Sequence, residues 1–494
     1  MAKGNTMTHR LSKSRFLSGI QCTKKLWIET YNRALIPPPS PADQRIFDQG
    51  HQVGQLARDD YTDGVLIEPD HFHIPEAMAQ TEQAIDSGVK VLFEGAFAHE
   101  EVLVRPDILR RTEDDTWQLM EVKSSTRVKD EHIQDVAIQE YVLEGAGLPI
   151  ASTHLMHVNR ECVYPDLSNF FTTADITTDV AGFLPEVPDI LAHLFATLDR
   201  ENKPVVPIGK HCTSPYDCPL VEYCWDHVPE YSIFTVPRLN WDKKDQLMAD
   251  DILAITDIPD AFPLSDTQQE YVDCVQAEDA SIDWEGIRQE LARLEYPLYF
   301  LDFETDNPAV PRFEGMRPYD QFPFQYSCHI LQEDGSLDHV EYLHTDQTDP
   351  RGPVAEHLVK SIGAMGSVIA YNAGFEKRIL ADLRDRFSTL QEPLQGMIDR
   401  LWDQLVIFRK HYTDYRFRGS NSIKAVLPVL VPELAYEDLE IQGGEVAQVA
   451  WNELLDTEDE AQRKELIQSL LAYCRRDTLG MVEIYRQLVD LNTQ

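Results

Sequence analysis

Two α/β domains joined by an acidic helical connector are expected from three features of the chain. The stretch Val104–Ser125 reads as an apolar strand, a polar turn at Thr112–Asp115 and a second strand at Trp117–Val122. Further on, Tyr296–Thr305 and Val368–Asn372 are apolar runs that end in polar or acidic residues, and the second leads straight into a helix-like segment. Between these regions lies Glu230–Glu290, where Pro237, Pro259 and Pro263 punctuate short helices. Within it, residues 241–290 carry fourteen acidic against three basic side chains. A chain of 494 residues with 43% hydrophobic content can bury two or three cores. The expected division is a first domain at 1–235, the connector at 236–290 and a second domain at 291–494.

Taken in order, Leu11–Glu29 begins with a Ser cap signal and carries Phe16, Leu17, Ile20 and Leu26 at helical spacing, so one helix containing Cys22 is expected. Pro37–Pro41 breaks the chain, and Ala42–Asp60 reads as a second helix. Val89–Phe97, with Glu94 at its centre, fits a strand entering the hairpin. Along the hairpin's second strand, alternation places Glu121 and Lys123 on one face and Val122 on the other, with Asp107 able to meet them across the sheet. Two close carboxylates bind Mg²⁺ through oxygen, and a nearby ammonium orients or deprotonates a water. Such ligands are expected to be exposed and to contribute little to stability. Ala151–Val158 is a strand candidate, and Asp179–Leu198 is expected to be helical. Then Cys212, Cys218 and Cys224 follow one another with five residues between each pair. Disulfides do not suit a reducing cytoplasm. A zinc site and an iron–sulfur cluster both remain open, the cluster requiring a fourth thiolate from elsewhere in the chain. The other cysteines, Cys162, Cys274, Cys328 and Cys474, read as core or surface thiols.

In the C-terminal region Asp302 and Glu304 alternate with Phe303, so both carboxylates share one strand face. Asn372-Ala-Gly-Phe-Glu376 runs from a strand into a helix. Lys464–Leu488 is a long amphipathic helix in which Tyr473 and Asp477, four apart, share a face. Asp403 follows another short apolar run, and Ser422 is placed to cap a helix at Gly419–Leu430.

The net charge of −40 is awkward for a protein that handles nucleic acid. Either a salty cytoplasm accounts for the acidic surface, or the protein is no nucleic-acid enzyme at all. Against that background Arg409, Lys410, Arg416, Arg418 and Lys424 crowd into residues 405–424, and these are the expected nucleic-acid contacts. No apolar run approaches the ~20 residues that span a bilayer. The basic start, MAKGNTMTHRLSKSRF, lacks the apolar core of a signal peptide, so a cytoplasmic location without membrane contact is expected. No G-x-x-x-x-G-K-[ST] motif occurs, so any helicase partner would act in trans.

Asp107, the E-x-K at Glu121–Lys123, and Gln139 in the following helix together resemble the PD-(D/E)xK nucleases, in particular their RecB-like branch. One group within that branch holds a [4Fe–4S] cluster, with one Cys before the nuclease fold and three after it. That resemblance implies Cys22, Cys212, Cys218 and Cys224 as ligands. The order D-x-E, N-x-x-F-acid, Y-x-x-x-D resembles the Tyr-bearing DEDD 3′→5′ exonucleases of the RNase H-like fold. It implies Asp302, Glu304, Glu376 and Asp477 as ligands of Mg²⁺ or Mn²⁺, with Tyr473 orienting water. Glu376 stands where that family has Asp. The pairing resembles a bacterial two-domain family. What it implies is a metal-dependent nuclease that degrades or trims nucleic acid, with single-stranded DNA as the expected substrate. The rivals are a repair or defence scaffold with one active site, and a zinc-binding protein that is no nuclease.

Overall fold

The computed structural model describes residues 10–492, so residues 1–9 of the basic N-terminal stretch lie outside it. The chain is a mixed α/β fold of two units: Met1–Asp226 with Pro308–Asp320, and His227–Asn307 with Gln321–Gln494. Among the described residues no helix is long and apolar enough to cross a membrane.

The first unit opens with β1 (Leu11–Ser12) and α1 (Lys13–Gln21). The Ser12 hydroxyl accepts the Arg15 N–H and caps the helix. The single helix expected here is in fact two. Cys22 adopts an extended backbone, φ −163° and ψ 117°, which cannot continue the ladder, and α2 (Thr23–Tyr31) starts afresh behind it. Helix α3 (Pro41–Asp59) carries a Ser40–Asp43 capping box with Pro41 at its first turn. β2 (Gly64–Leu66) and α4 (Ile74–Asp86) follow. The strand expected across 89–97 is broken at Glu94, whose φ is +55°. Its halves, β3 (Val91–Phe93) and β4 (Phe97–His99), join different sheets.

β5 (Val102–Val104) precedes the hairpin of β6 (Ile108–Arg111) and β7 (Trp117–Lys123), which pair antiparallel from Ile108↔Met120 to Arg111↔Trp117. Helix α5 (Asp130–Gly145) then crosses over to β8 (Ile150–Val158), which lies parallel to β7. β9 (Phe171–Asp175) completes a six-stranded sheet of order β2-β3-β6-β7-β8-β9. A smaller sheet has the order β1-β5-β4. The helix expected at 179–198 is divided into α6 (Thr177–Phe183) and α7 (Val187–Leu198) by a tighter turn at Leu184–Glu186. Pro185 and Pro188, which lack donors, account for the break. Leu92, Leu109, Leu119 and Leu155 from the large sheet pack with Val136 and Val142 of α5. α8 (Val221–Cys224) closes the cysteine-bearing segment.

The second unit contains the stretch 236–290. There α9 (Trp241–Ala249), α10 (Asp266–Ala277), β10 (Ala280–Ile282) and α11 (Trp284–Leu291) follow in order. Leu239, Leu247, Ile255, Tyr271 and Val275 give this acidic stretch a core of its own. β11 (Leu298–Asp306), β12 (Phe322–Leu331) and β13 (Leu337–Leu343) form an antiparallel meander. Helix α12 (Arg351–Ser361) leads to β14 (Val368–Ala370), parallel to β11. α13 (Gly374–Arg386) and α14 (Gln391–Asp399) precede β15 (Leu401–Asp403), parallel to β14. The sheet order is β13-β12-β11-β14-β15. α15 (Leu405–Lys410), β16 (Tyr412–Asp414, paired with β10), α16 (Ile423–Leu430), α17 (Gly444–Asp456) and α18 (Glu460–Asn492) complete it. Leu301 and Phe303 turn to the face where Val354, Leu358, Ile379 and Leu383 of α12 and α13 pack. Asp302 and Glu304 therefore turn to the opposite face, which α18 covers: Gln325 there donates to the Leu470 carbonyl at 2.8 Å.

Candidate metal centres

The hairpin and α5 of the first unit bring together every nuclease residue expected there. Asp107, just before β6, accepts the Val122 N–H at 2.7 Å, which pins it against β7. Glu121 lies at 1% exposure in the middle of the sheet, so the expectation of exposed ligands is corrected. Its Oε1 accepts Lys123 Nζ at 2.6 Å and Lys13 Nζ at 2.7 Å. Its Oε2 accepts Gln139 Nε2 at 2.8 Å. Gln139 leaves its own buried Oε1 without a partner. Asp135, one turn before Gln139 on α5, takes Lys123 at 2.6 Å and lies 3.6 Å from Lys13.

The electrostatics follow from that arrangement. Burial and then the Glu121 charge push the Asp107 carboxyl up to about 7. Burial works the same way on Glu121, but Lys123 and Lys13 outweigh it and hold that carboxyl well below the usual range. Lys13 and Asp135 were not anticipated from sequence. Asp135 had a readable signal, since it lies four residues before Gln139 and so shares its helix face. Lys13 had none, because its place depends on how β1 pairs.

The four expected cluster cysteines line one cavity, together with Lys24 and His211. The extended backbone at Cys22, a turn at Lys210–Cys212 and the end of α8 at Cys224 present them. All four are free thiols, and Lys24 Nζ lies 3.6 Å from Cys224 Sγ. A single ion draws its ligand atoms into one tight coordination sphere. Among the described residues these four thiols do not gather that closely: the group whose ligand atoms lie within 4.8 Å of one another is Asp302, Glu304 and Cys474.

In the second unit Asp302, Glu304 and Cys474 offer ligand atoms within 4.8 Å of one another, the one such group among the described residues. It is a plausible metal-coordinating cluster. Cys474 Sγ is 3.5 Å from Asp302 Oδ2, so this thiol, expected in the core or at the surface, is buried against the acidic pair. Asp477 on α18 is buried beside it and accepts a hydrogen bond from the Tyr436 hydroxyl. Tyr473, one turn earlier on α18, brings a second phenol to the same carboxylate. Glu376, in the first turn of α13, is 2% exposed, and its Oε2 has no partner.

Burial and the Asp477 charge push Asp302 and Glu304 well above the carboxylate range. Burial raises Glu376 to about 8. Asp477 rises only to about 6, because the Tyr436 hydroxyl and the Lys424 charge oppose its burial. Burial and Asp477 push the Tyr473 phenol far above its ordinary value, so it stays protonated. Asp403 instead serves the backbone, accepting the Asn372 and Leu405 N–H groups at 2.9 and 3.1 Å.

The basic residues of 405–424 have separate fates. Lys424 belongs to the second centre: it donates to the Gln442 carbonyl at 2.7 Å and stands over the Tyr436 and Tyr473 rings at 6.0 and 5.7 Å. Arg416 is held by the buried Asp414 at 2.6 Å, and Arg418 pairs with Glu230. Arg409 lies 4.0 Å from Asp403.

A family model described as a domain of unknown function, DUF2779, matches residues 299–422. That stretch holds β11 from Tyr299 onward, Glu376 and Asp403, and stops short of α18. Uncharacterized protein MG366 of Mycoplasma genitalium is 24% identical over 214 residues, covering 39% of this chain and 32% of that one. Uncharacterized protein UU173 of Ureaplasma parvum is 24% identical over 233 residues, covering 40% and 32%. The chain thus spans about a third of the length of these curated relatives. A solved structure titled crystal structure of SSO0001 aligns with 42% of this chain and 90% of its own at 11% identity, with a TM-score of 0.20.

Proposed function

We propose that the chain is a metal-dependent nuclease with two centres: a PD-(D/E)xK site accompanied by a [4Fe–4S] cluster, and a DEDD-type site on an RNase H-like fold acting 3′→5′. One observation carries this reading. Asp302 and Glu304 offer ligand oxygens within 4.8 Å of each other and of the Cys474 sulfur, buried Asp477 stands beside them, and buried Glu376 leaves one oxygen unpartnered. Carboxylates gathered and buried without partners are costly unless cations meet them.

Those four carboxylates would hold Mg²⁺ or Mn²⁺, which when bound stabilises the attacking and leaving oxygens of in-line displacement at a phosphodiester. Tyr473, fixed in its protonated form, orients the attacking water and does not deprotonate it. Lys424 offsets the charge of Glu304 and Asp477. In the first centre Asp107 and Glu121 would hold a divalent ion, and Lys123 would orient the water. Cys22, Cys212, Cys218 and Cys224 would hold the cluster, with Lys24 offsetting its charge. The substrate is nucleic acid, single-stranded DNA first, unwound where necessary by a helicase in trans.

The test is cleavage of 3′- and 5′-labelled single-stranded DNA and RNA with Mg²⁺, Mn²⁺ or EDTA. Wild type, Lys123→Ala and Asp302→Asn are compared, beside a visible spectrum of anaerobically purified protein. Cleavage that survives EDTA, or that neither substitution reduces, rules the reading out. A second reading, a nucleic-acid-binding scaffold in which only the second centre cuts, is favoured by one detail. Both oxygens of Glu121 are already taken by Lys13, Lys123 and Gln139. In that case Asp302→Asn alone abolishes cleavage and Lys123→Ala leaves it intact.

A further inference from the structure

The first centre contains a cation that its sequence pattern does not supply. Asp107, Glu121, Lys123, Asp135 and Gln139 all come from the hairpin and α5, but Lys13 arrives from α1. Its position is built. Leu11 and Ser12 pair with Val102 and Leu103, and the Ser12 hydroxyl caps the helix that Lys13 begins. Helix α1 then lies so close to α7 that a Cβ on Gly19 would come within 2.6 Å of Leu194. From there the Lys13 ammonium spans two carboxylates, 2.7 Å from Glu121 Oε1 and 3.6 Å from Asp135 Oδ1.

Bridging two acidic side chains is the task of a second ion in two-metal sites. We propose that Lys13 is a positioning residue occupying the place of a second divalent cation, so that the first centre takes one such ion and not two. The proposal rests on reading this centre as a divalent-cation site. The charge count supports it. With every group in its ionised form, three carboxylates and two ammoniums sum to −1, which one divalent ion reverses to +1. With Lys13 neutralised by substitution the sum is −2, and the vacated place between Glu121 and Asp135 has the charge and the oxygens for a further ion.

Tight Mn²⁺ sites are counted by equilibrium dialysis and electron paramagnetic resonance in the full chain, with the second centre silenced by Asp302→Asn and Asp477→Asn. One uncoupled Mn²⁺ is expected in this parent. Lys13→Gln should bind two, with the spectrum of an exchange-coupled pair, and Lys13→Arg should return to one. Where glutamine does not fold, judged by circular dichroism, Lys13→Met repeats the test with a side chain of similar length. One ion in the neutral variants, or two in the parent, overturns the proposal and leaves the nuclease reading standing. No tight Mn²⁺ in the parent removes the divalent-cation reading itself and the proposal with it.

Discussion

The first centre compensates its buried carboxylates with its own side chains, whereas the second leaves them largely uncompensated. Glu121 is answered by two lysines and an amide. Glu376 keeps an oxygen with no partner at all. Each arrangement begins from a strand with two ionisable residues on one face, Glu121 and Lys123 on β7 and Asp302 and Glu304 on β11, so the first strand already supplies one cation. The helices packed beside each strand widen the difference. Helices α1 and α5 bring Lys13, Asp135 and Gln139 to the first centre, while α18 brings Asp477, Cys474 and Tyr473 to the second. The first centre's acid is met by its own lysines, whereas the second is a plausible place for a cation to meet the acids.

Removing a charge from the compensated centre should therefore have the largest effect on stability. Lys123→Ala leaves Asp135 and one side of Glu121 buried without their ammonium. A loss of about 3 kcal/mol is expected, at the low end for breaking a buried pair because Lys13 stays in place. Chemical denaturation in EDTA measures it. A loss below about 1 kcal/mol would mean that solvent already screens this centre.

Removing a carboxylate from the uncompensated centre should act mainly on function. Outer-shell substitutions already lower metal affinity or activity by about 10–100-fold. Asp302→Asn removes a direct ligand, and more than about 100-fold loss of Mn²⁺-dependent 3′-end trimming is expected. In EDTA the same variant should be no less stable than wild type, because it deletes repulsion with Asp477 and Glu304. A destabilised Asp302→Asn would erase the contrast between the centres.

Glu376 gives the contrast a pH signature. Its folded pKa of about 8 lies above the ordinary carboxylate value of 4.5. Between those two values the folded state binds the extra proton, so this group's contribution to stability falls as pH rises from 4.5 through 8. Glu376→Gln should flatten that slope and stabilise metal-free protein at pH 8 by about 1–3 kcal/mol, the cost of an unsatisfied buried group. Saturating Mn²⁺ should reverse the order, stabilising wild type by about 2.7 kcal/mol at a hundredfold excess over Kd and the variant by less. Thermal melts at pH 5 and 8, with and without Mn²⁺, test both halves.

Local pattern carried much of this. The hairpin, the alternation at Asp302 and Glu304, and the shared face of Tyr473 and Asp477 all rest on periodicities of two or about four, which a sequence displays directly. Backbone irregularities were not legible. Cys22 and Glu94 interrupt elements whose hydrophobic spacing runs straight through them, because a single residue's φ and ψ leave no mark on periodicity. Long-range partners were also hidden. Lys13 lies 108 positions from Glu121, and Tyr436 lies 41 from Asp477, so tertiary packing alone creates those contacts.

The smallest effect concerns substrate contact, where Arg416 and Arg418 are held by different partners. Residues 405–424 form a basic cluster in sequence, so each arginine there would be expected to neutralise a phosphate and to add roughly 0.7 to the salt slope for a single strand. Arg416, however, donates twice to Asp414, a carboxylate that is 1% exposed. Its charge is already committed to holding that acid. Arg416→Ala should therefore leave the salt slope of binding unchanged and lower stability instead, since Asp414 loses its partner. Arg418 is different: both it and Glu230 are more than half exposed, so water screens their pair and a phosphate can compete for the guanidinium. Arg418→Ala should reduce the slope by a fraction of 0.7, and Arg418→Ala with Glu230→Gln should show whether that acid was holding the arginine back. Fluorescence anisotropy with labelled single-stranded DNA, titrated across salt, gives each slope. A full decrement of about 0.7 in Arg416→Ala would show that the Asp414 pair opens for substrate. The division between committed and available cations in this segment would then be wrong.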